Sequence, residues 1–218
     1  MPLENINNND NPEKDEDFYQ GVGSFLLEIS KVFILALVII IPIRVFLFQP
    51  FFVQGDSMYP NFKDSQYLIV NELGYKNSEI KIGNTNLVTV SPFKELERGD
   101  VVVFRYPNNP KQFFIKRIIG LPGEIVEIRG GRVYIKSGDL EFVLEEKEYL
   151  KNVVITKAHS NVPVALKEDE YFVMGDNRSA SSDSRSWGPV NKNDVIGKVL
   201  LRAWPLEDVR LFFDGVDY

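Results

Sequence analysis

The run from Phe25 to Phe48 constrains this chain more than any other stretch, because no other segment approaches the length needed to cross a bilayer. Its inner part, Val32 to Ile43, is apolar throughout apart from Pro42. That part alone falls short of a hydrocarbon core about 30 Å thick. The whole run, wound as a helix, reaches about 36 Å at a rise of roughly 1.5 Å per residue. Glu28 and Lys31 lie three apart near one end and can pair and snorkel to the headgroups, and Arg44 can do the same at the other. A proline near the end of a span kinks it at modest cost. A buried core helix is the alternative reading. A cleaved leader fits less well, because the first 20 residues are long and acidic instead of short and basic, with no Ala-x-Ala-like site after the run. The expected layout is a disordered acidic tail over residues 1–22, a single-pass transmembrane anchor over 23–50, and one folded domain over 51–218. Orientation is weakly encoded: Lys14 and Lys31 flank one side of the run, Arg44 and Lys63 the other.

The remainder reads as strands. Gln66–Val70, Asp100–Phe104, Gln112–Ile115, Glu124–Ile128, Arg132–Ile135 and Tyr171–Met174 are short, β-branched or aromatic, and bounded by Gly, Pro, Asn and Asp. Gly130-Gly131 between two alternating strands marks a hairpin. Helical periodicity of useful length is scarce after residue 60, and no internal repeat stands out. Residues 139–163 have mixed polarity and are expected as an inserted loop or hairpin. The expected fold class is mostly β: an antiparallel barrel-like or sandwich-like body behind one N-terminal transmembrane helix.

Composition narrows the chemistry. The formal net charge of −6 argues against a nucleic-acid partner, which would need a basic face. The absence of cysteine excludes disulfides, thiolate nucleophiles and cysteine-based zinc sites, and the lone histidine, His159, cannot build a multi-histidine metal site. His159 stands among polar neighbours and is expected as an exposed loop residue. Neither a metal nor a cofactor is expected.

Three stretches could carry chemistry. In Gly55-Asp56-Ser57-Met58-Tyr59-Pro60, a glycine permits close backbone approach and a proline stiffens the exit from a serine. A nucleophile needs such a fixed, exposed hydroxyl, with an amide able to face a developing oxyanion. An ordinary turn serine is the plain alternative. In Phe113-Phe114-Ile115-Lys116-Arg117-Ile118-Ile119, a lysine stands among apolar residues. A lysine with a pKa near 10.4 is no base at neutral pH, but burial disfavours the charged form and can bring it to about 7–8. A strand-edge lysine facing water is the alternative. Alternation sends Lys116 and Arg117 to opposite faces, so only one enters any pocket. The third stretch, Gly175 to Arg185, packs Asp, Asn, Arg and Ser closely enough for an ordered ion-pair network, and one of its hydroxyls could orient a neutral amine.

Together these stretches resemble the conserved boxes of type I signal peptidases, membrane-bound Ser/Lys proteases that remove signal peptides from exported proteins. Gly55 to Pro60 resembles the serine box, Arg98 to Phe104 the strand box that follows, Lys116 to Glu124 the lysine box, and Gly175 to Arg185 the last, in matching order and spacing. The resemblance implies Ser57 as nucleophile and Lys116 as general base. It implies that Ser181 orients the Lys116 amine, that Asp183 and Arg185 pair to hold their loop, and that Asp176 pairs with Arg117 and keeps it away from the amine. Val53, Met58 and Ile115 would line the pockets for small substrate residues at the first and third positions before the cut. The implied partners are signal-peptide-bearing preproteins and membrane lipids, with the catalytic domain on the extracytoplasmic or lumenal side. One departure matters: some members have a serine two places before the nucleophile where this chain has Gly55, so oxyanion binding would lean on the Ser57 amide. Residues 139–163 match no box. Two competing readings are a self-cleaving repressor, which would carry a DNA-binding helix-turn-helix in place of the tail and anchor, and a membrane-tethered β-domain without catalysis, which leaves Lys116 without a use.

Overall fold

A computed structural model describes residues 25–41, 47–76, 78–82, 85–90, 92–150, 154–158 and 162–212. The expected tail over 1–22 and His159 lie outside these residues. The chain divides into two compact units, Met1–Arg44 and Val45–Tyr218.

In the first unit, residues 25–41 form helix α1. Its apolar side chains are exposed: Leu27, Val32, Phe33 and Val38 each keep more than half of their surface. Seventeen residues rise about 26 Å, and among the described residues no helix is long and apolar enough to cross a membrane. Residues 42–46 of the expected span lie outside the described residues. Its last residue does not continue a helix: Phe48 opens a strand, because an apolar run followed by Gln49 and Pro50 serves equally well as sheet.

Among its described residues the second unit holds fourteen strands: β1 (Phe48–Phe52), β2 (Tyr67–Asn71), β3 (Ser78–Ile82), β4 (Thr85–Val90), β5 (Val101–Tyr106), β6 (Asn109–Gly120), β7 (Ile125–Arg129), β8 (Arg132–Ser137), β9 (Leu140–Val143), β10 (Val164–Ala165), β11 (Glu170–Met174), β12 (Val190–Asn191), β13 (Val195–Trp204) and β14 (Arg210–Leu211). One four-residue helix, α2 (Ser184–Trp187), follows β11. The main sheet has eight strands in the order β1-β2-β13-β5-β6-β11-β12, with β14 on β13. A second sheet runs β10-β7-β8-β9, and β3 and β4 form a separate ribbon. Every pairing is antiparallel. The mostly-β expectation therefore holds.

Burial explains the sequence pattern. In β5, Val101 and Val103 enter one core cluster with Met58, Phe62 and Leu68, while Val102 and Phe104 enter another with Ile118 and Val173. In β11, Tyr171 and Val173 join that second cluster, and Phe172 and Met174 join a third with Val126, Val133 and Ile135 of the smaller sheet. The centre of the main sheet is thus covered on both faces, which is why its strands read as unbroken apolar runs. Each fully buried side chain of this size contributes roughly 1.5–3 kcal/mol. The Gly130-Gly131 hairpin joins β7 to β8 as expected, and β9 adds a further strand from within residues 139–163.

Candidate active site

Ser57 stands in the connection from β1 to β2. The backbone ladder continues past both strands, with the Val53 amide donating to the Gln66 carbonyl and the Ser65 amide to the Val53 carbonyl, each at 2.9 Å. Gly55 has φ +79°, a region that favours glycine, and its amide donates to Asp64 Oδ1 at 2.7 Å. Met58 and Phe62 plug into the core and pin the turn from below, which leaves Ser57 half-buried.

Lys116 is carried by β6. The expected strand stops at Ile115, but β6 runs on to Gly120, through the lysine and the arginine. Lys116 Nζ and Ser57 Oγ are hydrogen-bonded at 2.7 Å, and Nζ also donates to the Ile115 carbonyl at 2.8 Å. Lys116 is 4% exposed. Burial pushes its amine down from 10.5 to about 8, against the opposing pull of the Asp183 and Asp176 carboxylates.

Arg117 goes the other way. Its Nε and Nη2 donate to the two Asp176 oxygens at 2.8 and 2.6 Å, its Nη1 to the Gly99 carbonyl at 2.7 Å, and both partners of the pair are fully buried. Asn61 Nδ2 adds a donor to Asp176 Oδ2 at 2.8 Å. The guanidinium charge is met by a bidentate carboxylate before it can act on the neighbouring amine.

The loop from Gly175 to Arg185 closes over the serine. The Asn177 amide donates to the Ser57 carbonyl at 3.0 Å. A Cβ on Gly175 would stand 2.3 Å from that carbonyl and 2.3 Å from Ser181 Oγ, so only glycine admits the approach. Asp183 binds Arg185 through both oxygens at 2.7 Å and accepts the Gly175 amide at 3.1 Å. Burial works against ionising Asp183, but Arg185 and the Gly175 amide outweigh it and hold the carboxyl below its ordinary range.

Of the residues singled out in the sequence, Ser57, Lys116, Arg117, Asp176, Asp183 and Arg185 therefore meet in the pairs anticipated. Ser181 does not meet Lys116. Among the described residues no hydrogen bond joins its buried hydroxyl to the amine; the hydroxyl lies near enough to help lower Asp183, and the amine donates to the Ile115 carbonyl. A groove of about 410 Å³ is lined by Ser57 and Lys116 together with Val53, Phe113 and Ile115. Met58 is absent from its lining, because the turn directs that side chain wholly into the core. Asn61 and Glu146 gave no local signal, since their partners Asp176 and Arg178 lie 115 and 32 residues away.

A family model described as "Signal peptidase, peptidase S26" matches residues 26–204. Signal peptidase I P of Bacillus subtilis subsp. natto is 32% identical over 190 residues, covering 86% of this chain and 94% of that protein. A signal peptidase I of Bacillus amyloliquefaciens is 33% identical over 186 residues, 84% of this chain and 88% of its own. Signal peptidase IB of Staphylococcus aureus (strain MRSA252) is 31% identical over 202 residues, 87% of this chain and 95% of its own.

Proposed function

The chain belongs to the signal peptidase family, peptidase S26, and from that premise we propose that it is an endopeptidase that cuts signal peptides from exported preproteins with a Ser57–Lys116 dyad. The observation that carries this reading is the 2.7 Å contact between Lys116 Nζ and Ser57 Oγ inside a groove where the lysine is almost wholly buried.

With an amine at about 8, roughly a tenth of the molecules hold Lys116 neutral at pH 7. In that form the Ser57 hydroxyl donates to the Nζ lone pair. Oγ attacks the scissile carbonyl while its proton passes to Nζ. The tetrahedral oxyanion falls to the Ser57 amide, since the Gly55 amide is committed to Asp64. Collapse breaks the peptide bond, and Lys116 returns the proton to the departing amine. The neutral amine then takes a proton from a water molecule whose oxygen attacks the acyl carbon; as the ester C–O bond breaks, Lys116 passes that proton to Ser57 Oγ and restores the hydroxyl.

An extended substrate has a place to lie. Among the described residues β11 pairs with β6 from Arg117 to Gly120 and none pairs with that edge of β6 before Lys116, which leaves it able to accept a further strand beside Val53 and Ile115. Cleavage after small residues, of the Ala-x-Ala kind, is the specificity we assign to these walls. The exposed apolar surface of α1 is assigned to a single-pass membrane anchor, with the catalytic unit on the extracytoplasmic side. The test is processing of an Ala-x-Ala precursor in detergent by the wild type and Ser57→Ala. Equal cleavage by both overturns the proposal.

A further inference from the structure

Residues 139–163 matched none of the boxes, yet they carry dense polar contacts onto the catalytic loop. Glu146, in the turn after β9, receives Arg178 Nη1 on Oε2 at 3.0 Å, Arg178 Nη2 on Oε1, and the Tyr149 hydroxyl on Oε1 at 2.8 Å. Arg178 is 4% exposed. Its Nη1 donates also to Thr156 Oγ1 at 2.7 Å, and its Nε to the Gly175 carbonyl at 3.0 Å. The same segment touches the site twice more. The Tyr149 carbonyl accepts Asn61 Nδ2 at 2.8 Å, and the Lys157 carbonyl accepts Arg185 Nη1 at 3.3 Å.

These contacts end on one place. Gly175 is the residue with no room for a Cβ between Ser57 and Ser181, and the next turn of its loop clasps the Ser57 carbonyl. A guanidinium almost wholly out of water must be held by a counter-charge, and the carboxylate that pairs with it is Glu146. Freed of that carboxylate, Arg178 would turn toward water and draw the Gly175 carbonyl with it.

We propose that Glu146 is a positioning residue for the peptidase reaction: by holding Arg178 it fixes the Gly175 carbonyl, and with it the backbone against which Ser57 stands. The proposal rests on the dyad reading above.

The test compares wild type, Glu146→Ala, Glu146→Gln and the exposed-site control Lys147→Gln in full-length protein, with rates normalised to the folded fraction measured by circular dichroism. Glu146→Ala is expected to lower kcat about tenfold or more with KM within twofold. Glu146→Gln, which keeps one acceptor for Arg178, is expected between it and the wild type. The acid limb of kcat/KM should move to higher pH in Glu146→Ala, because water reaching Lys116 relieves the burial that lowers it. Lys147→Gln should match the wild type. A wild type that leaves the precursor intact overturns the peptidase reading and this proposal with it. A cleaving wild type beside a Glu146→Ala enzyme of equal kcat, or one whose loss follows only its unfolded fraction, overturns this proposal alone.

Discussion

The amide of Asn177 donates to the carbonyl of Ser57 at 3.0 Å, so the loop after β11 grips the backbone of the serine that β6 meets through Lys116. The proposed nucleophile is thus set by two elements remote from it in sequence, and each can be perturbed separately.

Removing either member of the dyad should end catalysis. Ser57→Ala and Lys116→Ala are each expected to lose at least about a thousandfold in kcat while keeping the wild-type circular dichroism spectrum. Lys116→Arg should fail as well, because a guanidinium stays charged and cannot accept the hydroxyl proton. Precursor turnover by any of the three within tenfold of wild type would refute the assignment.

Activity should follow the neutral amine. With Lys116 at about 8, kcat/KM is expected to climb nearly tenfold per pH unit from pH 6 and to level above about 8. An acid limb with its midpoint near 10 would mean that burial does not tune this lysine.

The same burial should appear in stability. The folded-state value of about 8 lies below the 10.5 of an unperturbed lysine, so between the two the unfolded chain binds more protons and stability rises with pH. Below pH 8 the folded protein carries a cost on the order of 3 kcal/mol for protonating the buried amine. Lys116→Met, of similar volume, is therefore expected to melt higher than wild type at pH 6.5, with the gap closing towards pH 10.5. Parallel Tm curves across that range would contradict it.

Crowding at Gly175 gives a steric test. A methyl group there would meet Ser57 O and Ser181 Oγ at 2.3 Å, and neither can yield without moving the serine backbone or the loop. Gly175→Ala should lose about a hundredfold in kcat/KM, the scale of a displacement near 1 Å. Wild-type kinetics in this variant would show that the loop does not position Ser57.

Arg117 and Asp176 form a fully buried pair. Removing one partner strands the other charge, at about 3–5 kcal/mol, whereas replacing both with apolar side chains restores most of that. Urea unfolding of Asp176→Leu and of Arg117→Met/Asp176→Leu measures the difference. A double variant no more stable than the single one would count against the pairing.

Much of the fold was legible in the sequence, and the reasons are physical. β2, β5, β7, β8 and β11 announced themselves because β-branched and aromatic residues were fenced by Gly, Pro, Asn and Asp. β13 gave no such signal. Gly197, Lys198 and Arg202 interrupt its apolar pattern, and its pairing with β2 shifts register twice. β6 was legible only to Ile115, since Lys116 and Arg117 look like a strand end until their partners Ser57 and Asp176 arrive from 59 residues away. The residue types of the site could be read from the residues themselves, whereas its pairings came only through the family resemblance. Ser181 and Met58 show the limit: nothing local distinguishes a hydroxyl beside Lys116 from one against Gly175, or a groove-lining methionine from one sealed in the core.

In the proposed mechanism Lys116 is the amine that serves both halves of the reaction, and only 4% of its surface opens to the groove. An electrophilic drug that esterifies Ser57 would therefore be released only if a water molecule could still reach that nitrogen. A bulky group packed over Lys116, between Val53 and Ile115, would shut out that water and turn a turnover intermediate into a long-lived adduct. Its residence time would be set by how well it excludes solvent from one nitrogen more than by the reactivity of its warhead.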